Sequence, residues 1–160
     1  MNRPIYPPSA YNDQLHLKID LFTWAIVAFI MRPIVVFVAS ITQKKADRFA
    51  LLNTFYPEPI WAYISVAAAI PAMLLVFAWW KRSPEAPPKV RWLWHRGRSL
   101  IAASLILNIV FLALPTWFLG QHFTAPIIAQ IGLCAIALYY VFRSARVRDT
   151  FADFPDPPST

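Results

Sequence analysis

The chain has 160 residues, of which 58% are apolar, 16% are aromatic and 14% are charged, and its mean hydropathy is +0.47. An ordinary soluble domain carries about 25% charged residues, so this composition excludes disordered chains, collagen-like chains and most soluble domains. The single cysteine, Cys134, excludes an intrachain disulfide and a cysteine-based zinc site. Three scattered glycines exclude the glycine-rich loops that bind nucleotides. The composition therefore indicates a small integral membrane protein.

Four continuously apolar segments are long enough to cross a membrane, whose hydrocarbon core requires about 20 residues of helix. They comprise residues 21–41, 60–80, 99–119 and 124–142. Buried helices of a soluble protein would need a polar face for water, and β-barrel strands would alternate apolar with polar residues. We therefore predict an all-α integral membrane four-helix bundle at 21–142, between an N-terminal tail, 1–20, and a C-terminal tail, 143–160.

The connections between the predicted spans differ in kind. Residues 42–59 and 81–98 are predicted to form long loops. The four residues 120–123, GQHF, predict a tight turn and an antiparallel hairpin of the last two spans. Both tails are rich in proline, which predicts that they form no helix and are extended or disordered. These prolines are Pro4, Pro7, Pro8, Pro155, Pro157 and Pro158.

The distribution of basic residues predicts the orientation. Four spans place both termini and residues 81–98 on one side of the membrane, which carries eleven of the fifteen Lys and Arg residues, against three on the other side. Because Lys and Arg are retained in the cytoplasm during insertion, we expect both termini to be cytoplasmic. The eleven are Arg3, Lys18, Lys81, Arg82, Lys89, Arg91, Arg96, Arg98, Arg143, Arg146 and Arg148.

The segment Lys89–Arg98, KVRWLWHRGR, interleaves cations with two tryptophans. It fits either a short interfacial helix in the membrane plane or a basic loop with tryptophans at the membrane boundary. Basic residues beside spans normally meet anionic lipid headgroups, so lipid is favoured over nucleic acid as the partner. We predict that eight residues of this region contact headgroups or a partner protein: Lys81, Arg82, Lys89, Arg91, Trp92, Trp94, Arg96 and Arg98.

Arg32 is a charged residue within the first span, so its insertion into the membrane costs free energy. It is the twelfth of 21 residues, close to the bilayer midplane, where an arginine costs roughly 2.5–3.5 kcal/mol. Pro33 removes the amide that would bond the carbonyl of Phe29, and Pro71 lies midway in the second span, so both predict helix kinks. Asn108 lies at a depth similar to Arg32 because the first and third spans run in the same direction. The sequence predicts an intramembrane polar cluster of Arg32 and Asn108.

Three interpretations of Arg32 are open. The side chain binds an anion or a lipid phosphate in an interior cavity, or it ties helices together through Asn108 and freed carbonyls. In the third interpretation, the first span is broken at Arg32–Pro33 into two half-helices or is only partly inserted. We favour the second interpretation, in which Arg32 ties helices together.

Asp20 is expected to cap the first span, and small residues are expected to allow close helix contact. The small residues are Ser65, Ala68, Ala69 and Ala72 in the second span and Ala125, Ala129 and Gly132 in the fourth.

Groups for catalysis and metal binding are sparse. The three histidines, His16, His95 and His122, lie in three separate segments outside the spans, which excludes haem ligation by two intramembrane histidines. The sequence contains no HExxH motif and no paired carboxylates within the spans. We therefore predict no catalytic residues, no metal site, no cofactor and no enzymatic activity.

Several segments resemble a known family. The stretch Tyr11–Pro33, with its Arg–Pro pair in the first span, is similar to the opening of the YfeZ-like bacterial inner-membrane proteins. The similarity extends to FYP at Phe55–Pro57, IPA at Ile70–Ala72 and the basic tryptophan-containing loop, over most of residues 6–119. The resemblance implies a four-helix, multi-pass inner-membrane protein of a Gram-negative bacterium, from a family of unknown function with no known catalytic residues.

The expected function is that of a non-enzymatic accessory or assembly subunit, which binds another membrane protein or a second copy of itself. A chain of this size leaves little room for a transport pathway. The alternative is a small oligomeric transporter or channel in which Arg32 binds an anion within the membrane. A lipid-modifying membrane enzyme is a third class, which the lack of an acid–base pair disfavours.

Overall fold

The computed structural model describes residues 6–11, 16–43, 59–119 and 124–155, and four of its helices are long and apolar enough to cross a membrane. These helices are α1 (Leu21–Thr42), α2 (Pro59–Trp80), α4 (Gly97–Leu119) and α5 (Ala125–Arg143). Two shorter helices, α3 (Pro88–His95) and α6 (Ala145–Ala152), lie between and after them, and a 3-10 helix covers Pro8–Ala10. The predicted all-α fold with four membrane-spanning helices is confirmed, and these apolar helices indicate a membrane-embedded protein.

Neighbouring long helices run antiparallel. Trp24, near the start of α1, packs edge to face on Trp79 at the end of α2, with ring centroids 4.9 Å apart. The α4 helix packs along α2, and α5 packs along α4. Arg98 at the start of α4 bonds Phe142 at the end of α5, which confirms the antiparallel pairing of the last two spans. The predicted turn at 120–123 lies outside the described residues.

The α4 helix is central to the bundle and α5 is peripheral. One third of the apolar segment of α4 is buried inside the protein, compared with 17% for α5. Buried residues from four helices meet at the centre, including Ile30, Leu75, Leu105 and Val141. The other faces of the helices present large apolar side chains outward, as expected for helices surrounded by hydrocarbon.

The two prolines predicted to kink the first and second spans lie within continuous helices. The α1 helix passes through Pro33 and α2 passes through Pro71, so the interpretation of two half-helices in the first span is wrong. After Pro71, the backbone amide of Ala72 donates a hydrogen bond to the hydroxyl of Ser104 in α4, at 3.0 Å. Ser104 is fully buried, so a neighbouring helix supplies an acceptor where the proline alters the backbone pattern.

The two sets of small residues differ in their surroundings. In α2, Ala68, Ala69 and Ala72 are fully buried, as close helix contact requires. In α5, by contrast, Ala125, Ala129 and Gly132 are exposed. The prediction that the α5 set makes helix contacts is therefore wrong within this chain, because α5 uses a different face, with Cys134, Ala137 and Val141, to pack on the bundle.

A layer of short segments covers one end of the bundle. We call residues 6–11, 16–20, 81–96 and 144–155 the end layer. Its α6 helix corrects the prediction of a non-helical C-terminal tail. The Ser144 hydroxyl accepts a hydrogen bond from the Val147 amide at 3.3 Å, which caps α6, and Pro155 follows the helix without interrupting it. The described parts of both predicted tails therefore pack on the bundle.

Gly97 marks a close approach between the bundle and the end layer. A Cβ atom at this position would collide with the Phe151 ring and lie 2.8 Å from Leu75 Cδ1. We expect Gly97→Ala to lower the free energy of unfolding by about 1–3 kcal/mol, because well-packed sites tolerate added atoms poorly. Thermal unfolding of the purified protein in detergent measures this loss.

Gly132→Ala is the matched control, since a Cβ at that position meets no atom within 4 Å. Alanine in a helix is more stable than glycine by roughly 0.5–1 kcal/mol, so this variant should unfold at an equal or higher temperature than the wild type. A Gly97→Ala protein as stable as Gly132→Ala would contradict the close packing at Gly97.

Candidate functional site

The Arg32 side chain lies against its own helix. Its guanidinium carbon is 4.4 Å from the centroid of the Phe29 ring, a cation–π contact one turn back along α1. Arg32 is partly buried, and as the twelfth residue of α1 it lies close to the middle of that helix.

Asn108 has a partner that the sequence analysis did not assign. The Gln130 amide Nε2 in α5 donates a hydrogen bond to Asn108 Oδ1 in α4 at 3.1 Å, and Asn108 is 5% exposed. Hydrogen bonds between membrane helices contribute about 0.6 kcal/mol on average. This pair joins the two helices of the hairpin, whereas the predicted contact between Arg32 and Asn108 stays a prediction.

Arg82 connects three segments of the end layer. Its guanidinium donates hydrogen bonds to the backbone carbonyls of Asp153, at 2.9 Å, and Leu17, at 3.4 Å. The guanidinium carbon also lies 4.3 Å from the centroid of the Trp94 ring. Burial lowers the pKa of Arg82, and the nearby Asp153 carboxylate opposes that shift. Arg82 thus holds the N-terminal segment, α3 and the C-terminal segment together.

The Asp153 carboxylate is the polar junction of the end layer. Oδ2 accepts a hydrogen bond from the Leu17 amide at 2.7 Å, and Oδ1 lies 3.1 Å from His16 Nδ1. Arg82 Nη2 is 3.8 Å from Oδ2. One carboxylate therefore fixes the N-terminal segment to the chain that follows α6.

Trp94 is the apolar centre of the end layer. It is fully buried, and its indole Nε1 donates to the carbonyls of Thr150, at 3.2 Å, and Asp153, at 2.8 Å. Arg91 donates to the carbonyl of Pro155 at 3.2 Å. The segment Lys89–Arg98 is largely helical, as one of the two interpretations predicted, whereas its position in the membrane plane stays a prediction. Trp94 faces the protein interior.

Arg98 completes the end of α5. Its Nε donates to the Val141 carbonyl at 3.0 Å and its Nη2 donates to the Phe142 carbonyl at 2.6 Å. The last carbonyls of a helix have no partner within the helix, so they need donors from elsewhere. A basic side chain of α4 supplies these donors, which makes Arg98 a capping residue.

The eight residues predicted to contact headgroups or a partner fall into two groups. Arg82, Arg91, Trp94 and Arg98 make the internal contacts described above. Lys81, Lys89, Trp92 and Arg96 are exposed on the surface of the end layer. The guanidinium carbon of Arg96 lies 4.5 Å from the centroid of the Trp92 ring. Their role in lipid or partner binding stays a prediction.

Asp20 caps α1, as the sequence predicts. Its Oδ2 accepts hydrogen bonds from the amides of Phe22, at 3.1 Å, and Thr23, at 3.2 Å. The Tyr140 hydroxyl of α5 donates to the same oxygen at 2.8 Å. Burial raises the pKa of Asp20, but the hydrogen bonds from Thr23 and Tyr140 outweigh it, so its pKa lies below the ordinary value.

The described residues contain no group of three His, Cys, Asp or Glu side chains that could hold a metal ion. His16 contacts Asp153, and the Nδ1 of His95 lies 3.0 Å from the Phe151 carbonyl, so both take part in end-layer contacts. His122 lies outside the described residues, as do Lys44, Lys45 and Arg48 of the first predicted loop. The arrangement seen here joins helices and chain ends through polar contacts.

The Asp20 charge predicts a dependence of stability on pH. Asp20→Asn keeps a capping oxygen but removes the charge. Because the folded-state pKa lies below the unfolded value of about 4, the charge stabilises the fold above that value and this stabilisation is lost as pH falls through the folded-state pKa. We expect wild type to unfold at a higher temperature than Asp20→Asn at neutral pH, and the two curves to converge in acid.

Tyr140→Phe tests whether the Asp20 charge causes this pH dependence of stability. It removes one donor to the Asp20 carboxylate, so the pKa of Asp20 should rise and the convergence should begin at a higher pH. A temperature difference between wild type and Asp20→Asn that stays constant across the acid range would contradict this assignment.

Comparison with known proteins supplies the family. Residues 6–153 match the family model described as a protein of unknown function (DUF2919). The search of curated proteins and the search of solved structures found no match. The resemblance to the YfeZ-like proteins is not tested by this match and stays a prediction. Because the match covers nearly the whole chain, the protein belongs to the DUF2919 family.

Proposed function

We propose that this protein is a non-enzymatic, multi-pass membrane protein that serves as an accessory or assembly subunit, binding a larger membrane partner through α5. The observation that carries the proposal is the open outer face of α5. Ala125, Ala129 and Gly132 lie one to two turns apart on this face, and a Cβ at Gly132 meets no atom within 4 Å. Small residues allow the backbone of another helix to approach closely, so this face suits a helix of a partner.

The use of polar residues inside the bundle supports a packing role. Ser104 accepts a hydrogen bond from Ala72, and Asn108 accepts one from Gln130. Each of these bonds joins two neighbouring helices. Polar groups used in this way stabilise a bundle, whereas a transport pathway needs polar groups that face a passage.

We also propose that the protein resides in a bacterial inner membrane with both termini in the cytoplasm. The end layer and the adjoining helix ends carry ten of the described Lys and Arg residues and only four carboxylates. Contacts such as Tyr140 with Asp20 and Arg82 with Leu17 bring these segments to the same end of the bundle. An excess of basic residues at one end is the signal that retains that end in the cytoplasm.

Purification of the tagged full chain from its own host in mild detergent tests the accessory role. We expect wild type to bring down one membrane protein in a fixed ratio, identified by mass spectrometry. Gly132→Leu should abolish that recovery because leucine keeps the two helices apart. Ala67→Leu, at an exposed alanine of α2, is the matched control and should leave recovery unchanged. A wild-type protein that purifies as a stable monomer would contradict the proposal.

The alternative function is a small oligomeric transporter or channel. A half-buried guanidinium at mid-depth in α1 favours this alternative, because charged groups within spans often mark ion pathways. If it is correct, wild type reconstituted in liposomes should conduct anions, and Arg32→Ala should abolish the flux while the protein still assembles. No anion flux from wild type, together with lost assembly in Arg32→Ala, would instead support the role of Arg32 in packing.

A further inference from the structure

We propose that the exposed face of α3 binds the phosphate of an anionic phospholipid through Lys89, Trp92 and Arg96. The helix follows α2, which ends at Trp80, and one residue separates it from the start of α4 at Gly97. Because α2 and α4 are membrane-spanning helices, α3 is held at the boundary between hydrocarbon and water.

The orientation of α3 about its own axis leaves its cationic face exposed. Val90 and Trp94 are buried against the bundle and α6. Lys89, Trp92 and Arg96 are spaced three and four residues apart, so they lie on one face, and all three are exposed. Trp92 is 55% exposed and helps to line a shallow open groove of about 510 Å³ beside Lys89. Because the apolar side of α3 packs on protein, the basic aromatic side is the one left to face lipid headgroups.

Within the described residues, the charges on this face have no carboxylate partner. Three of the four carboxylates at this end accept hydrogen bonds from protein groups: Asp20 from Tyr140, Asp149 from Tyr6 and Asp153 from Leu17. Among the described residues, no ion pair involves Lys89 or Arg96. The face therefore carries two exposed positive charges that no described carboxylate neutralises.

The pairing of cation with tryptophan favours a lipid as the source of the neutralising charge. Arg96 lies over Trp92, and Lys81 lies 5.2 Å from the ring centroid of Trp80, which is 75% exposed at the end of α2. An indole ring suits the headgroup region because it is part apolar and part polar, and an adjacent guanidinium or ammonium reaches the phosphate. The bilayer around the spans supplies both environments at this level.

Native mass spectrometry of the full chain tests the site. The protein is reconstituted in vesicles with equal amounts of phosphatidylcholine and phosphatidylglycerol, then released in mild detergent, and retained lipids are counted by class. Wild type should retain phosphatidylglycerol preferentially. Lys89→Gln/Arg96→Gln should reduce this preference by about fivefold for each cation removed, the effect typical of a basic residue near an anionic surface.

Lys18→Gln/Arg148→Gln is the matched control, because it removes two exposed cations of the same end layer outside α3. It should retain phosphatidylglycerol as wild type does. Because all four residues are exposed, each variant should unfold at the same temperature as wild type, which separates lipid loss from misfolding.

Two results would overturn the proposal. The first is unchanged phosphatidylglycerol retention in Lys89→Gln/Arg96→Gln. The second is displacement of phosphatidylglycerol by inorganic phosphate, which would identify a site for a soluble anion or for an acidic partner instead of a membrane lipid. Neither result depends on whether α5 binds a partner, so this test and the test of the accessory role can fail separately.

Discussion

The structure depends on one constraint, that backbone N–H and C=O groups in hydrocarbon must find partners within the protein. The four long helices satisfy it by their own hydrogen bonds, and this is why continuously apolar segments fold as they do. Pro71 interrupts the hydrogen-bond pattern of α2, because proline removes a donor and disturbs the turn around it. The Ala72 amide at this disturbed turn donates a hydrogen bond to Ser104, so a neighbouring helix supplies the acceptor.

The same constraint governs the ends of the helices. Arg98 donates to two carbonyls at the end of α5, and Asp20 accepts from two amides at the start of α1. Trp94 donates to one carbonyl in the last turn of α6 and to one just after that helix. The end layer is therefore more than a basic loop beside a bundle. It is a set of donors and acceptors that closes the bundle where the hydrocarbon ends, and Asp153 links its N-terminal and C-terminal segments.

The length of each apolar segment predicts the spans, and an aspartate directly before the first span predicts the capping role of Asp20. Both features depend only on residues that are close in sequence. Hydropathy does not predict which face of a span packs inward. In hydrocarbon both faces are apolar, so no periodicity marks the interface, and the exposed α5 set and the Asn108–Gln130 pair were missed for that reason. The α6 helix was missed because the prolines near it suggested an extended tail, although its signal, a serine cap before buried Val147 and Phe151, was present.

The choice between arginine and lysine separates the roles of the basic residues. All three lysines of the described segments, Lys18, Lys81 and Lys89, are exposed. The cations that bond backbone carbonyls in the end layer and at the adjoining end of α5 are arginines, whose planar group directs several donors at once and is weakly hydrated. Arg96 shows that an arginine also remains at the surface when an indole ring supports it. A count of positive charge treats all of these residues alike, whereas their contacts divide them into those that close the fold and those that remain available to the membrane.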